Sequence, residues 1–324
     1  MKISVVIIAK NAEKTIAKCL TSITEQTHPP HEIIVVNGHS TDRTREIASR
    51  FPVKLVSSPQ RHTYGLSRNI GVKASTGDIV AFLDTDDFAN QKWLETVQKT
   101  FSDGKIGVMN SKRIFAYTNN WFTDLKWNRM GKKGQLLDKS TSREPWREFG
   151  TSGSAFRKEL IQKAGYFDED MFFNTEDKEL AIRIFNLGYE IKSVPDSVIH
   201  FRPASSAIEW LKEGYYRHGM GHGTIRRRHG KFHPPLLTPA ATIITVLCLL
   251  SFFLLGFWLL IPLLLLACFF GALIKTYRYS RKTTKPIHCL VYVILEALER
   301  NLEFLGFVIG YAFPTKILRR IARH

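Results

Sequence analysis

The sequence predicts an α/β fold with a mostly parallel central sheet flanked by helices, followed by an apolar C-terminal region. Over residues 1–205, short apolar runs rich in β-branched residues alternate with segments of helical periodicity. This alternation is typical of a parallel sheet covered by helices. The composition changes abruptly after Lys231, because no Lys, Arg, Asp or Glu occurs between Lys231 and Lys275. The C-terminal third therefore belongs to a different kind of structure.

The strands and helices follow from these periodicities. The apolar runs predict strands over residues 4–9, 32–36, 54–56, 79–83, 106–109 and 190–194. Segments whose apolar residues recur every three to four positions predict helices over residues 15–25, 43–50, 65–74, 91–101 and 177–187. Ligands of such folds bind at the carboxyl ends of the strands, so the functional residues are expected there.

The composition excludes several classes of protein. An apolar fraction of 44% with 12% aromatic residues excludes a disordered chain. The four cysteines include no Cys-x-x-Cys pair, which argues against a disulfide scaffold or a zinc site. The formal net charge of +17 predicts a polyanionic partner, such as nucleic acid, anionic lipid or a phosphorylated substrate. Nucleic acid is disfavoured because the basic charge does not lie on a recognisable nucleic-acid module.

The uncharged segment predicts a transmembrane helical hairpin over residues 236–275. A single crossing needs about 20 apolar residues, and this run is about twice as long. Gly256 and Pro262 lie where the turn between two spans would fall. A buried pair of core helices is the alternative, and it is disfavoured because the run is apolar on every face.

The flanking segments complete the predicted domain organisation. Residues 286–324 predict an amphipathic or third membrane helix with a basic tail, since Glu and Arg residues lie at the centre of this apolar stretch. Positive charge flanks cytoplasmic ends of spans. We therefore expect a multi-pass protein of the cytoplasmic membrane, in contact with membrane lipids. Its catalytic domain would be residues 1–230 on the cytosolic face, with residues 205–230 as a basic juxtamembrane segment.

Three carboxylates follow the fourth predicted strand, at Asp84, Asp86 and Asp87. Carboxylates this close repel one another unless they share a cation, and Mg²⁺ or Mn²⁺ prefers oxygen ligands bridged to substrate phosphates. The loop therefore predicts a site for a metal and a diphosphate. An acidic turn that caps the next helix is the alternative, but a cap needs only one Asp.

Four blocks, in this order, resemble glycosyltransferase family 2, whose members have the GT-A fold. The blocks are Ser4-Val5-Val6-Ile7-Ile8 with Asn11 and Glu13; Glu32-Ile33-Ile34-Val35-Val36-Asn37-Gly38-His39-Ser40-Thr41-Asp42; Arg68-Asn69-x-Gly71-x-x-Ala74-x-x-Gly77-Asp78 with Asp84-x-Asp86; and Thr175-Glu176-Asp177. Their shared order is far more specific than any one block. The resemblance covers residues 1–205 and implies a GT-A nucleotide-diphospho-sugar transferase fold.

The resemblance implies roles for the donor site. Asp84 and Asp86 would hold the nucleotide and the metal, with Asp86 favoured as the direct ligand. The base would be held near Asn11, Glu13 and Asn37. The family usually has Asp where this chain has Asn37, and an amide both donates and accepts hydrogen bonds, which leaves the base preference open. Arg68 would approach the diphosphate, although an ordinary surface arginine of a helix is the alternative.

The resemblance also implies an acceptor-activating motif at Thr175-Glu176-Asp177. A sugar hydroxyl is a poor nucleophile, so a carboxylate that takes its proton assists the attack. Asp177 is the predicted general base, with Glu176 beside it. Acidic residues at a helix N-terminus also stabilise the helix, which is the purely structural alternative.

Three further residues are weaker candidates. Gly153 lies in a loop of small residues that would let substrate approach the backbone, or it belongs to an ordinary linker. His200 follows a strand and would complete the metal shell in some family members, although a satisfied polar residue is equally expected. Arg217 lies in a basic, glycine-rich stretch that would bind a diphosphate or anionic headgroups, or would only set membrane topology.

Three functional hypotheses remain. The first is an inverting glycosyltransferase that moves a sugar from a UDP- or GDP-sugar to a hydroxyl of a lipid-linked or growing glycan, with Mg²⁺ or Mn²⁺. The second is a polyprenyl-phosphate glycosyltransferase, whose phosphate acceptor needs no base. The third is a catalytically silent scaffold, which the intact acidic motifs disfavour.

Overall fold

The computed structural model describes residues 1–59, 63–115, 146, 149–171, 175–201, 206–230 and 286–314. These residues belong to two compact units. The first unit contains the described residues up to 201, and the second contains residues 206–230 and 286–314. The predicted domain boundaries are not tested by this division and remain predictions.

In its described residues, the first unit contains the sheet and six helices. Its strands are β1 Ile3–Ala9, β2 Glu32–Asn37, β3 Lys54–Ser57, β4 Ile79–Asp84, β5 Phe88–Ala89, β6 Ile106–Phe115, β7 Ala155–Arg157 and β8 Glu190–Phe201. Its helices are α1 Ile16–Thr24, α2 Thr44–Ala48, α3 Tyr64–Ala74, α4 Trp93–Thr100, α5 Lys158–Lys163 and α6 Glu176–Asn186. All of the predicted strands and helices are confirmed. The sequence did not predict β5, β7 and α5. The two strands have only two and three residues, which is too short to show a clear period.

The sheet is mixed, in the order β3-β2-β1-β4-β7-β6-β8-β5. The strands from β3 to β4 are mutually parallel. The short strand β7 pairs antiparallel with both β4 and β6, and β5 pairs antiparallel with β8. The predicted α/β fold is therefore confirmed. The sheet is mixed but mostly parallel, as predicted, because β6 and β8 are also parallel and, among the described strands, only the two missed ones run in the opposite direction.

Packing of α3 against β1 fixes one side of the candidate site. A Cβ atom on Gly71 would lie 2.3 Å from a methyl group of Val6, so only glycine allows this approach. Because α3 connects two parallel strands, its N-terminal turns lie at the carboxyl edge of the sheet. The helix therefore brings Arg68 to the edge where β4 ends at Asp84.

The second unit is helical in its described residues. It contains α7 Ala207–Glu213, a π-helix Gly214–Gly221, α8 His222–His229 and α9 Pro286–Ala312. Glycines let α9 approach the other helices at backbone distance. A Cβ atom on Gly306 would lie 2.2 Å from the Tyr215 carbonyl oxygen, and one on Gly310 would lie 2.1 Å from that of Met220. The tight packing of this unit therefore depends on its glycines.

In the part of the chain that the structure describes, no helix is both long and apolar enough to cross a bilayer. Helix α9 is 27 residues long, but its central sequence contains Glu296, Glu299, Arg300 and Glu303. This finding overturns the predicted location as a multi-pass protein of the cytoplasmic membrane. The hairpin predicted over residues 236–275 lies outside the described residues.

Candidate active site

The three carboxylates in the loop after β4 differ in their exposure to solvent. Asp87 is buried, and the Ser152 hydroxyl donates a hydrogen bond to its Oδ2 atom. The same hydroxyl accepts a hydrogen bond from the backbone N–H of Asp84 at 2.9 Å. The side chains of Asp84 and Asp86 remain partly exposed. Asp87 therefore stabilises the loop, while Asp84 and Asp86 are the carboxylates that a ligand can reach.

Asp177 lies in the first turn of α6 and is 3% exposed. Its Oδ2 atom accepts hydrogen bonds from the backbone N–H and the hydroxyl of Thr151, at 2.9 and 3.0 Å. Its Oδ1 atom accepts one from the backbone N–H of Lys178 at 2.7 Å. Three donors therefore fix the orientation of this carboxylate.

The loop at residues 150–154 joins the two acidic motifs. Its neighbouring residues Thr151 and Ser152 bond to Asp177 and to the loop after β4. The loop is itself anchored to the sheet, since Gly153 N–H donates to the Phe82 carbonyl oxygen at 2.8 Å. The Gly153 carbonyl oxygen accepts a hydrogen bond from the indole of Trp93 at 3.3 Å. The loop is therefore a buried structural connection, and a substrate contact at Gly153 remains a prediction.

Arg68 places a buried positive charge among these carboxylates. It is 6% exposed and donates a hydrogen bond to Glu176, which is 1% exposed. Its guanidinium also lies 4.0 Å from the Asp84 carboxylate. Burial by itself lowers the pKa of Arg68, but the charges of Glu176, Asp84 and Asp177 outweigh that effect and raise it. The guanidinium is thus a permanent cation that lies between the two motifs.

Asn69, the next residue on α3, holds the segment at residues 167–169 beside the site. The residue pattern alone did not identify this role. Its amide donates to the Phe167 carbonyl oxygen and to Glu169, and it accepts from Phe167 N–H, each at 2.9 Å. A Cβ atom on Gly65 would lie 2.5 Å from the Asp168 carbonyl oxygen, so α3 also packs closely here. The only available signal was the position of Asn69 beside Arg68 in the same sequence block.

The predicted base-binding residues meet at the carboxyl ends of β1 and β2. Asn11 adopts a positive φ of 49°, and its side-chain oxygen accepts a hydrogen bond from Thr41 N–H at 2.9 Å. Asn37 ends β2, and its oxygen accepts from the hydroxyl and the N–H of Ser40 at 2.7 and 3.3 Å. The Asn37 oxygen is thus committed to its own loop, which leaves the NH₂ group as the end available to a ligand.

Glu13 belongs to the same pair of loops. Its carboxylate accepts a hydrogen bond from Arg43 N–H at 3.2 Å, and its own N–H donates to Asp42 at 3.1 Å. The structure therefore brings Glu13, Asn11 and Asn37 together. Asn11 and Glu13 join the loop after β1 to the loop after β2, whereas Asn37 bonds within the loop after β2. Their contacts with a nucleotide remain predictions.

Two other predicted site residues, His200 and Arg217, lie in different units. The backbone of His200 pairs with Phe88, two residues after Asp86, so the strand register places it close to the acidic loop. Arg217 belongs to the π-helix of the second unit. The metal role of His200 and the diphosphate role of Arg217 remain predictions.

The described residues contain no group of three or more His, Cys, Asp or Glu side chains that could hold a metal ion. Asp84 and Asp86 nevertheless offer partly exposed carboxylate oxygens, the ligands that Mg²⁺ and Mn²⁺ prefer. Mg²⁺ is commonly bound by one or two carboxylates together with substrate phosphates. The residues therefore fit a metal that binds together with a diphosphate.

The site therefore combines a mixed α/β sheet, partly exposed carboxylates at the end of β4 and a buried acid at the start of α6. The family model described as glycosyl transferase family 2 matches residues 4–165. The chain belongs to this family and is therefore an enzyme of the glycosyltransferase class.

Known relatives agree with this assignment. Glycosyltransferase AglE of Haloferax volcanii is 29% identical over 230 residues, which are 68% of this chain and 72% of AglE. The mannosyltransferase PcManGT from Pyrobaculum calidifontis, solved with GDP-Man and Mn²⁺, superimposes with a TM-score of 0.67 at 21% identity. That match covers 92% of this chain and 87% of PcManGT.

TarS of Staphylococcus aureus has the same fold. A structure of its residues 1–349 with UDP-GlcNAc superimposes with a TM-score of 0.51 at 20% identity, covering 67% of this chain and 66% of that chain. Against a longer TarS chain, the match covers 66% of this chain and 39% of TarS. At these identities the solved structures establish the fold alone.

Proposed function

We propose that the protein is an inverting glycosyltransferase that moves a sugar from a UDP- or GDP-sugar to a hydroxyl of a lipid-linked or growing glycan. One observation carries the proposal. Neighbouring residues Thr151 and Ser152 hold the carboxylate of Asp177 and the backbone of Asp84. A single buried loop therefore holds an acid suited to acceptor activation and an acid suited to donor binding at fixed positions. Such fixed geometry is what a transfer between two bound substrates requires.

The donor end of the site consists of Asp84 and Asp86. These carboxylates would hold Mg²⁺ or Mn²⁺, which supplies positive charge to the leaving diphosphate when it is bound. The presence of GDP-Man and Mn²⁺ in the PcManGT structure supports this assignment. Asn11, Glu13 and Asn37 are proposed to shape the pocket for the base at the ends of β1 and β2.

The acceptor end consists of Asp177. Its carboxylate would accept the proton of the attacking hydroxyl, which makes the oxygen a better nucleophile. Direct attack opposite the leaving diphosphate is a single displacement, and a single displacement inverts the anomeric carbon. The three hydrogen bonds to Asp177 keep the carboxylate oriented during this step.

A phosphate acceptor is the second candidate, and those same hydrogen bonds favour it. Both oxygens of Asp177 already accept hydrogen bonds from Thr151 and Lys178, which gives the carboxylate a structural role that needs no proton transfer. An ionised phosphate needs no general base. In this case Asp177 would be a structural residue that holds the loop at residues 150–154.

The two candidates are separated by following a labelled sugar. Purified full-length protein is incubated with radiolabelled UDP- and GDP-sugars and either glycan acceptors or a polyprenyl phosphate. Label transferred to a glycan hydroxyl supports the first candidate, and label transferred to the phosphate supports the second. Absence of both transfer and nucleotide-sugar binding, in the presence of Mn²⁺ and Mg²⁺, would contradict the proposed function.

A further inference from the structure

The guanidinium of Arg68 is buried and already has partners within the protein. Its side chain is 7% exposed and its guanidinium lies within 6 Å of the rings of Tyr64 and Phe167, at 5.6 and 5.8 Å from their centroids. One guanidinium nitrogen donates to the buried carboxylate of Glu176. The guanidinium is therefore held by aromatic faces and by a carboxylate of the protein itself.

The partner of Arg68 is adjacent to the proposed general base. Glu176 and Asp177 are consecutive residues in the first turn of α6. A contact that fixes the position of one of them therefore also restrains the position of the other. The residue after Arg68 acts on the same region, because Asn69 makes three hydrogen bonds to Phe167 and Glu169. Two consecutive residues of α3 therefore hold α6 and the segment that precedes it.

Direct diphosphate binding would need a different arrangement. To bond to a phosphate while keeping its bond to Glu176, the guanidinium would have to use its remaining N–H donors, but the Arg68 side chain is only 7% exposed. Separating the partners of a buried ion pair is strongly unfavourable. The 4.0 Å separation from Asp84 further indicates that Arg68 already balances the charge of the donor-side acid.

We propose that Arg68 is a positioning residue, which orients Glu176 and through it Asp177, and that it does not bind the donor diphosphate. This inference rests on the proposed glycosyltransferase function. A shift of about 1 Å in a catalytic group is enough to slow a reaction by about 10²-fold. Loss of Arg68 therefore slows the transfer step and leaves donor affinity nearly unchanged.

The test compares Arg68→Lys and Arg68→Gln with wild-type full-length protein. Donor affinity is measured by calorimetry with GDP- and UDP-sugars in the presence of Mn²⁺, and kcat is measured by initial transfer rate. We expect Arg68→Gln to lower kcat by about 10²-fold and to change the donor Kd less than about threefold. Arg68→Lys keeps the charge but lacks the planar fork, so it restores only part of the rate.

A double-variant cycle separates positioning from a general loss of structure. If Arg68 acts through Glu176, the variant Arg68→Gln/Glu176→Gln is no slower than the slower of the two single variants. Additive losses in kcat overturn the inference. Lys73→Met is the matched control, because Lys73 is an exposed cation on the same helix and should leave both kcat and Kd unchanged.

A large loss of donor affinity in the Arg68 variants would contradict the inference. A rise in donor Kd of about tenfold or more in both Arg68 variants, with the thermal midpoint kept, would show direct contact with the diphosphate and overturn the inference. This measurement needs no acceptor and no turnover. Failure of wild-type protein to bind or transfer any sugar would instead refute the proposed function, so the two failures are distinguishable.

Discussion

Thr151 donates two hydrogen bonds to a single oxygen of Asp177, from its backbone N–H at 2.9 Å and from its hydroxyl at 3.0 Å. Thr151 is 2% exposed and Asp177 is 3% exposed, so neither bond competes with bulk water. The contact joins residues 26 positions apart in the sequence. It fixes the orientation of the carboxylate on which the proposed proton transfer depends.

Replacement of this carboxylate tests the proposed base. Asp177→Asn keeps size and hydrogen bonding but cannot accept a proton at neutral pH, so we expect transfer to slow by about 10²–10⁴-fold. Donor affinity, measured by calorimetry, should hardly change, because the proton moves only in the transition state. Thr151→Val removes one bond and keeps the base, so its loss of rate should be much smaller. A nearly wild-type rate in Asp177→Asn would favour the phosphate acceptor.

Metal dependence is the second expectation. Chelation should abolish transfer and Mn²⁺ or Mg²⁺ should restore it, while Asp86→Ala should be folded and slower by orders of magnitude. Circular dichroism checks the fold, and calorimetry measures donor binding with and without metal. Asp103→Ala is the matched control, since Asp103 is an exposed aspartate in a loop of the same unit. Full activity in excess chelator would contradict the metal assignment.

Asn37 provides a test of base preference at the proposed donor site. The Ser40 N–H is an obligate donor, so the atom of Asn37 that faces it must be the amide oxygen. Asn37→Asp keeps that acceptor and replaces the NH₂ donor with a second acceptor. We therefore expect the ratio of UDP to GDP affinity to change while the thermal midpoint stays close to that of the wild type. Competition of both nucleotides against a fluorescent donor measures this ratio, and an unchanged ratio would exclude a contact with the base.

The pH dependence of stability has a contribution from Cys19. Burial raises the pKa of this thiol well above its ordinary value of 9.0, and the carboxylates of Asp87, Asp84 and Asp86 raise it further. The folded protein therefore keeps the proton that the unfolded chain loses near pH 9. The stabilisation is complete below that pH and is lost as pH rises, by about 1.4 kcal/mol per unit for one group.

Urea unfolding between pH 7 and 10 measures this effect, with Cys19→Ala as the comparison. The free energy of unfolding of the wild type should fall more steeply above pH 9 than that of Cys19→Ala. Any packing cost of the substitution is the same at each pH, so only the difference in slope is informative. Parallel profiles would show that the thiol has the same pKa in the folded and unfolded states.

The glycines of the second unit provide a test of its helix packing. Gly310→Ala would place a Cβ atom 2.1 Å from the Met220 carbonyl oxygen, so the helices would have to separate. Overpacking of this kind costs about 1–3 kcal/mol. Gly104→Ala is the matched control, because nothing lies within 4 Å of a Cβ atom at Gly104. Equal thermal midpoints for the two variants would contradict the backbone-to-backbone packing of α9.

Local patterns in the sequence determined much of the fold. Each predicted strand and helix of the first unit is present, because period and residue type are properties of neighbouring residues. The ordered blocks identified the family for the same reason. The predicted membrane location is overturned, because no helix among the described residues is both long and apolar enough to cross a bilayer.

Only the tertiary structure decided what each acidic residue does. The sequence placed Asp84 and Asp87 within one short motif. Ser152, more than 60 residues further along the chain, donates to the buried carboxylate of Asp87 and bonds only to the backbone of Asp84, whose side chain stays partly exposed. Arg68 and Glu176 are 108 residues apart, and their pairing depends on how α3 and α6 pack. Sequence periodicity indicates which residues are buried. Which buried charges form ion pairs depends on distances of a few ångströms between them, and only the folded structure determines those distances.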